Sequence, residues 1–262
     1  MTDSIFLYDG TTIVPTELAR GPWHPNFAHG GAPAGLIATL ASHQILESEW
    51  GIARIAMDLI RPVPLRPLQM QIHAQQGQSV LHHYIVLEEN SKPLINAHIV
   101  SIRKKTLKNV SFPPIDHHAA DIDPSALAPL RIADMPDDQP TFYYTAMDVR
   151  AQESSPMPQW RPAWFRLRYP LLQGYSLSPL ATACAASDFG SGFSFPLPFN
   201  RYQFPNLDIN ILFHREPTSE WIHVQSHTTV SNTGMGITES VLSDLSGPFG
   251  LAFQTLLVQE KT

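Results

Sequence analysis

The chain has little cysteine, no excess of positive charge and no long apolar run. Its 262 residues include one cysteine, Cys184, which excludes an intramolecular disulfide and makes a reducing cytoplasm the simplest location. The formal net charge of −6 argues against nucleic acid as the main partner, because a phosphate-binding surface needs excess Lys and Arg. No apolar run approaches the roughly 20 residues that span a bilayer, and no signal-peptide layout precedes the first elements. We therefore expect a cytoplasmic globular protein without a membrane span.

Several well-known catalytic and cofactor motifs are missing as well. The sequence has no GxSxG nucleophile elbow, no Walker loop, no GxGxxG and no Cys/His cluster with metal-ligand spacing. Cys184 lies in an alanine-rich helix and is expected to be an inert core thiol. We therefore expect no metal and no cofactor, so that any chemistry falls to ordinary polar side chains.

The sequence contains two copies of one plan, a buried helix followed by four strands. The first helix is predicted over 32–46, where nearly every position is apolar or small, with Pro33 in its first turn. The second is predicted over 178–190, with Ser178 as the N-cap and Gly190 as the stop.

Matching landmarks in the strands support this repeat. Arg61 and Arg215 lie 154 positions apart, and Pro93 and Pro248 lie 155 positions apart. Two anchors at nearly one offset are hard to obtain by chance, so the strands that carry them are expected to occupy equivalent places in two similar units.

Antiparallel strands after a single buried helix suggest a sheet that curls around the helix, which is an α+β architecture. Two such units can pair edge to edge and thereby hide the strand edges that each would otherwise expose. The region between them is rich in Pro, Asp and Ala and is interpreted as an irregular connector. The predicted boundaries are 1–105 for the first unit, 106–160 for the connector and 161–262 for the second unit.

The last quarter of the chain places one polar residue in each of three apolar strand patterns. These residues are Asp208, Thr229 and Gln254. A carboxylate, a hydroxyl and a carboxamide on neighbouring strands can hold one water molecule and remove a proton from it, which points to hydrolysis without a covalent nucleophile. Thr228 competes with Thr229, because alternation allows only one of the two to face the site.

Four segments of the chain carry a further signal, and they are HPNFAHGGAPAG (24–35), DLIRPVP (58–64), NLDINILFHR (206–215) and FGLAFQTLLV (249–258). These segments resemble the thioesterase-like superfamily of double hotdog proteins, and in particular acyl-CoA thioesterase II. The resemblance implies two tandem hotdog units, each a long helix wrapped by an antiparallel sheet, that together form one continuous sheet. It also implies hydrolysis of acyl-CoA by an Asp, a Thr and a Gln, which fall on Asp208, Thr229 and Gln254.

The loop before the first helix is the candidate substrate-binding element. Gly30 and Gly31 could let a thioester carbonyl approach the free amides at the start of a helix, or could only permit a tight turn. Asn26 and His29 lie in the same loop and are further candidates. Asp188, near the end of the second helix, could line the acyl pocket or make local hydrogen bonds.

The leading functional hypothesis is hydrolysis of acyl-CoA to a free acid and CoA. The alternatives are an acyl-CoA binding module without turnover and an acyl-CoA hydratase, although the sequence lacks the Asp-x-Asn-Pro-x-His segment of such hydratases. The basic run RKKTLK (103–108) could meet CoA phosphates or could simply be solvated. Hotdog relatives usually pair further, so a homo-oligomer is expected.

Overall fold

The structure is a computed structural model that describes five stretches of the chain. These are residues 4–44, 49–108, 123–130, 140–151 and 160–261. Much of the predicted connector, namely 109–122, 131–139 and 152–159, lies outside the described residues, as do the last two positions of the first predicted helix.

The first half contains a small hairpin, one long helix and four long strands. The helix is built of small and apolar residues and is buried along most of its length, as its sequence predicts. A 3-10 turn, Glu17–Ala19, follows the hairpin. The elements are β1 (Phe6–Tyr8), β2 (Ile13–Pro15), α1 (Gly31–Gln44), β3 (Trp50–Leu59), β4 (Gln69–Gln76), β5 (Val80–Glu89) and β6 (Lys92–Arg103).

The second half repeats the order of one helix and four long strands, with additional elements around it. Short turns at Pro124–Ala126 and Phe142–Ala146 precede it. The elements are β7 (Met147–Arg150), β8 (Arg161–Leu167), α2 (Pro179–Ser187), α3 (Gly190–Ser194), β9 (Tyr202–Gln203), β10 (Asp208–Phe213), β11 (Ile222–Val230), β12 (Met235–Asp244), β13 (Gly247–Leu257) and β14 (Gln259–Glu260).

The start of the second helix was predicted correctly, whereas its end was not. Ser178 is the N-cap, and its hydroxyl oxygen accepts a hydrogen bond from the backbone N–H of Ala181 at 3.1 Å. Gly190 does not end the helical segment but begins α3. The reason is a close approach, because a Cβ at Gly190 would lie 2.6 Å from the hydroxyl of Ser240. The glycine lets the chain continue as a helix directly against β12.

Ten strands form one continuous antiparallel sheet in the order β4-β5-β6-β3-β10-β13-β12-β11-β8-β7. The two halves join where β3 pairs with β10, with Asp58 opposite Asp208. This confirms the predicted α+β architecture with a single continuous sheet. The pairing satisfies the backbone groups of two strands that would otherwise be exposed edges.

The repeated landmarks make the same contact in both halves. The guanidinium of Arg61 donates to the carbonyl oxygen of Pro93 at 2.5 Å, and that of Arg215 donates to Pro248 at 3.1 Å. The sequence offset between the two arginines therefore reports equivalent positions in two copies of one structural plan.

The second half extends the sheet beyond the four predicted strands. Strand β7 lies within the range assigned to the connector, yet it pairs with β8, which in turn pairs with β11. These two strands cover the edge of β11, which the four-strand plan leaves open. The proposed limits of the two units and the connector stay a prediction.

The two faces of the sheet differ in what covers them. On β10, Ile209 and Ile211 are fully buried and point to the inner face, which α2 and α3 cover, while Leu212 is exposed on the outer face. Helices α1 and α2 pack closely against each other, since a Cβ at Gly31 would lie 2.5 Å from the carbonyl oxygen of Ala185. Among the described residues, no helix is long and apolar enough to cross a membrane.

Candidate active site

Gln254 faces the interior and is 2% exposed, as a functional amide on an inner face would be. Its Nε2 donates to the backbone carbonyl oxygen of Asp188 at 3.1 Å. Its Oε1 accepts from the backbone N–H of Ser191 at 3.1 Å. The amide of Gln254 therefore ties strand β13 to the junction between α2 and α3, and it identifies that junction as part of the site.

Asp208 lies on the opposite face of the sheet. Its carboxylate accepts from the backbone N–H of Thr255 at 3.0 Å, and Asp58 is its cross-strand neighbour. Alternation explains the separation, because Asp208 is level with exposed Thr255, whereas Gln254, one residue earlier on β13, points inward. The prediction that Asp208 and Gln254 converge on one water molecule is wrong.

Thr229 is also on the outer face, where it is exposed and pairs with exposed Ile237. The neighbouring Thr228 is buried on the inner face. Its hydroxyl lies 2.7 Å from that of Thr238 and 2.6 Å from that of Ser194. The assignment of the inward position to Thr229 is therefore wrong, and Thr228 occupies it.

Asp188, whose backbone carbonyl accepts from Gln254, also supplies a buried carboxylate at this junction. This residue caps the C-terminus of α2 and is 7% exposed. Its Oδ1 accepts from the side-chain Nδ2 of Asn206 at 2.6 Å, and its Oδ2 lies 2.8 Å from Nδ1 of His29. A buried carboxylate needs such partners, because removing a charge from water is costly. Asp188 is thus the centre of a polar cluster formed by side chains from both halves of the chain.

His29 reaches Asp188 from the loop before α1, and its ring stacks on Phe189 at a centroid distance of 4.2 Å. The backbone N–H of Gly31 also approaches His29 Nδ1, at 3.1 Å. One ring nitrogen cannot donate to the carboxylate and accept from Gly31 at the same time. The contact with Asp188 is shorter and charge-assisted, so we assign the proton to His29 Nδ1, which then donates to the carboxylate.

The two glycines of the loop make this approach possible. A Cβ at Gly30 would lie 2.9 Å from each carboxylate oxygen of Asp188. Gly31 permits the close contact of α1 with α2, as described above. Asn26 is exposed, and its described contacts are local: its N–H donates to His24 Nδ1 and its carbonyl oxygen accepts from Leu65. The structure therefore brings His29 and Gly30 to Asp188 and Gly31 to Ala185, and none of the described contacts joins Asn26 to Asp188.

Asn206 and Ser191 are site residues that the sequence reasoning missed. The Oδ1 of Asn206 accepts from the hydroxyl of Ser191 at 2.9 Å, which leaves its Nδ2 to donate to Asp188. Asn206 lies two positions before Asp208, inside one of the segments that carry the family resemblance. Two features of the sequence could have indicated them. Asn206 stands just before strand β10, and Asp188 stands at the end of helix α2.

A model of one protein family matches residues 124–258, which is just over half of the chain. That family is described as the acyl-CoA thioesterase C-terminal domain. The chain belongs to this family. The matched range includes Asp188, Ser191, Asn206 and Gln254, whereas His29 and Gly30 lie outside it.

Several solved structures share the fold of this chain. One is a protein from Novosphingobium aromaticivorans DSM 12444 that is provisionally described as a thioesterase. It is 17% identical to this chain, with a TM-score of 0.71 over 98% of this chain and 99% of that one. Acyl-CoA thioesterase II TesB2 from Mycobacterium marinum is 15% identical, with a TM-score of 0.67 over 94% and 98%. A hotdog-fold protein of unknown function from Alicyclobacillus acidocaldarius is 13% identical, with a TM-score of 0.68 over 98% and 96%.

At these identities the solved structures establish the fold alone, and they confirm the double hotdog architecture. No curated protein sequence matches the chain. The expected resemblance to the acyl-CoA thioesterases is thereby confirmed, and the chemistry of this particular chain has to be argued from its own side chains.

The single cysteine of this acyl-CoA thioesterase family member lies inside α2. Cys184 is fully buried, and burial raises the pKa of its thiol well above the ordinary value, so a nucleophilic thiolate is disfavoured. Within the described stretches, no group of three or more His, Cys, Asp and Glu residues is placed to hold a metal ion. The cluster around Asp188 is therefore the candidate active site.

Proposed function

We propose that the chain hydrolyses acyl-CoA thioesters with a water molecule held and deprotonated by Asp188. The observation that carries this proposal is the buried Asp188 carboxylate, which is held by Asn206 on one oxygen and by His29 on the other. A carboxylate fixed in this way is oriented before substrate arrives, which is what a general base requires. Membership of the acyl-CoA thioesterase family supports thioester hydrolysis as the reaction.

The proposed reaction has one addition and one elimination. Each carboxylate oxygen has a described donor and retains a lone pair, so Asp188 can accept a hydrogen bond from water. As the water oxygen attacks the thioester carbon, Asp188 takes its proton. The tetrahedral intermediate then collapses, the carbon–sulfur bond breaks, and the CoA thiolate takes the proton from Asp188, which gives a carboxylic acid and CoA and restores the carboxylate.

The loop and the strand have supporting roles in this proposal. Gly31 begins a 14-residue helix and Gly30 directly precedes it, so their backbone N–H groups can donate to the developing oxyanion of the intermediate. Gln254 and Asn206 are positioning residues, because their described hydrogen bonds hold Asp188 and Ser191. Asp208 and Thr229 have no part in it.

A second candidate function is addition of water to an enoyl thioester. It is favoured by the 2.8 Å contact between His29 and Asp188, since an imidazole and a carboxylate form an acid–base pair. Hydration consumes the conjugated double bond and leaves the thioester intact. Loss of enoyl-CoA absorbance without release of thiol would identify this reaction.

The test is a matched pair of substitutions, Asp188→Asn and Asp208→Asn. Both replace a carboxylate by an amide of the same shape, and the two residues lie on opposite sides of the sheet. We expect Asp188→Asn to lower thiol release from a panel of acyl-CoA substrates by roughly 10²–10⁴-fold, because the base is lost. Asp208→Asn should stay within about twofold of the wild type.

Thermal unfolding and CoA binding provide the controls for this pair. Asp188→Asn retains an oxygen that accepts from Asn206 or His29, so a folded protein is expected. Equal activity of folded Asp188→Asn and wild type would overturn the role of Asp188. Binding of acyl-CoA without any thiol release by the wild type would instead indicate an acyl-CoA binding module.

A further inference from the structure

Beside the candidate active site lies an exposed surface that combines aromatic rings with positive charges. It consists of Trp23, Phe199, Arg201 and Lys261, and we call it the Trp23 surface. Trp23 is 52% exposed and Phe199 is 39% exposed. The ammonium of Lys261 lies 5.7 Å from the ring centroid of Trp23. The surface thus presents large exposed aromatic side chains next to positive charges.

A buried aromatic core supports these exposed rings. Phe204 is buried and stacks on Phe195 at 3.6 Å. The rings of Trp23 and Phe199 each make a T-shaped contact with Phe204, at centroid distances of 5.4 Å and 5.0 Å. T-shaped packing is a favourable arrangement of aromatic rings. The two exposed rings are therefore held in place by packing against Phe204.

The positive charges are held at the same place by the backbone. The N–H of Lys261 donates to the carbonyl oxygen of Arg201 at 2.8 Å, next to the paired strands β9 and β14. Arg201 lies over Tyr202 and forms an exposed ion pair with Glu260 at 3.3 Å. An exposed pair of this kind is weak, so the guanidinium can exchange its partner for a stronger anion.

The Trp23 surface is connected to the candidate active site through two short segments. Phe204 precedes Asn206 by two residues, and Asn206 contacts Asp188. Trp23 precedes His29 by six residues, so their Cα atoms lie at most about 21 Å apart, given roughly 3.5 Å per extended residue. Trp23 therefore lies no farther than this from the histidine that contacts Asp188.

We propose that the Trp23 surface binds the nucleotide part of CoA, with adenine stacked on Trp23 and the phosphates near Lys261 and Arg201. The inference rests on the proposed function, which makes CoA the carrier of the acyl group. A CoA thioester has an anionic nucleotide at the far end of a flexible pantetheine arm. A base recognises aromatic faces by stacking, and a phosphate recognises Lys and Arg by charge.

The basic run that the sequence offered for this role is placed elsewhere. Arg103 and Lys104 pair with Glu49 and Glu216, respectively. Arg103 is the last residue of β6 and pairs with Trp50, the first residue of β3. Asp58 lies at the other end of β3. Asp58 is the residue beside Asp208 and thus at the end of the sheet near Asn206. Those charges are therefore at the wrong end of the sheet for a nucleotide whose thioester reaches Asp188.

The experiment compares two substrates that carry the same acyl group. One is the acyl-CoA, and the other is the acyl-N-acetylcysteamine thioester, which lacks the nucleotide. We expect Trp23→Ala and Lys261→Ala each to raise KM for acyl-CoA, by roughly 5- to 100-fold for the stacking residue, with kcat within about twofold. Neither variant should change kcat/KM for the truncated thioester. Tyr84→Ala, an exposed aromatic on β5, should leave both substrates unaffected.

A binding measurement separates this proposal from the proposed function. Titration with free CoA, dephospho-CoA and pantetheine, followed by calorimetry, needs no turnover. We expect CoA to bind the wild type, pantetheine to bind much more weakly, and both variants to lose affinity for CoA. If this result were obtained with a protein that releases no thiol, it would support CoA binding at the Trp23 surface and overturn the proposed hydrolysis. An unchanged affinity and KM in Trp23→Ala, or an equal loss with the truncated substrate, would overturn the surface.

Discussion

Thr228 and Thr229 are adjacent in sequence and have opposite environments. Thr228 contributes its hydroxyl to a buried set with Ser194 and Thr238, whereas the side chain of Thr229 meets solvent. Similar hydroxyl pairs continue along the inner face, where Ser226 lies 2.8 Å from Ser240. The inner face of this half is thus unusually polar beside Gln254, and each hydroxyl depends on its neighbour for a partner.

Replacing each threonine by valine tests this difference in environment. Thr228→Val keeps the shape but leaves the hydroxyls of Ser194 and Thr238 with one partner fewer, so we expect unfolding to become easier by about 1–3 kcal/mol. Thr229→Val should change stability by less than about 0.5 kcal/mol, because the side chain is exposed. Urea unfolding of both variants measures the difference. Equal stabilities of the two variants would show that the hydroxyl of Thr228 does not stabilise the fold.

The loop before α1 packs against the end of α2. This packing of two elements determines the geometry of the candidate site. Gly30 leaves room for both carboxylate oxygens of Asp188, and Gly31 lets the helices touch. Any side chain at Gly30 would have to displace Asp188 from His29 or from Asn206. The absence of a side chain at this position is therefore a condition for the geometry of the site.

Gly30→Ala is expected to reduce thiol release by at least about tenfold, since a small misplacement of a reacting group is costly. Gly192→Ala is the matched control, because a Cβ at Gly192 meets nothing within 4 Å. Alanine there should leave activity unchanged and leave the helix as stable or more stable. The measurement is kcat for an acyl-CoA substrate, with the melting temperature recorded in parallel. Activity of Gly30→Ala equal to that of Gly192→Ala would contradict the argument.

The whole molecule assembles its candidate site from both halves. His29 and Gly30 come from the loop of the first unit, whereas Asp188, Asn206 and Gln254 come from the second. The first unit thus contributes a loop and a helix start, and the second contributes the carboxylate. We infer that the duplicated units are no longer equivalent in function, although their repeated landmarks still make the same contacts.

Acid sensitivity is a property of the folded molecule as a whole, and His223 is expected to contribute to it. His223 is buried beside Trp164, and burial lowers its pKa from 6.5 to about 4. Between these values the unfolded chain binds the proton and the folded chain does not, so stability falls as pH falls. The loss is at most about 1.4 kcal/mol per pH unit, or about 3 kcal/mol by pH 4.

Urea unfolding at pH 7.5 and pH 5 measures this loss. His223→Phe keeps a ring against Trp164 and should show a smaller drop than the wild type. His73→Phe, at an exposed position on β4, should retain the wild-type drop. Below about pH 4, protonation of the buried carboxyl of Asp244 is expected to lower stability further. Burial raises the pKa of Asp244, but hydrogen bonds from Arg215 and two backbone N–H groups outweigh burial and hold this pKa below its usual value. An identical pH dependence in wild type and His223→Phe would refute the assignment.

Local patterns were sufficient for the elements and for the repeat. The small-residue helices, the alternation of β10 and the shared offset of Arg61 and Arg215 all depend on neighbours in sequence, and the structure confirms them. The same patterns singled out Gln254, which lies on a buried face. They failed for Asp208, because alternation shows which residues share a face and leaves open which face is covered.

The sequence by itself therefore determined the order of the elements, their alternation and the existence of two similar units, because these follow from short-range periodicity and local propensity. The contact of His29 with Asp188 depends on how α1 and α2 pack. The inward position of Asn206 depends on how the chain enters β10 beside α3. Both are long-range contacts that no local pattern encodes, so they emerge only when the two units pair along β3 and β10 and bring the helix ends together.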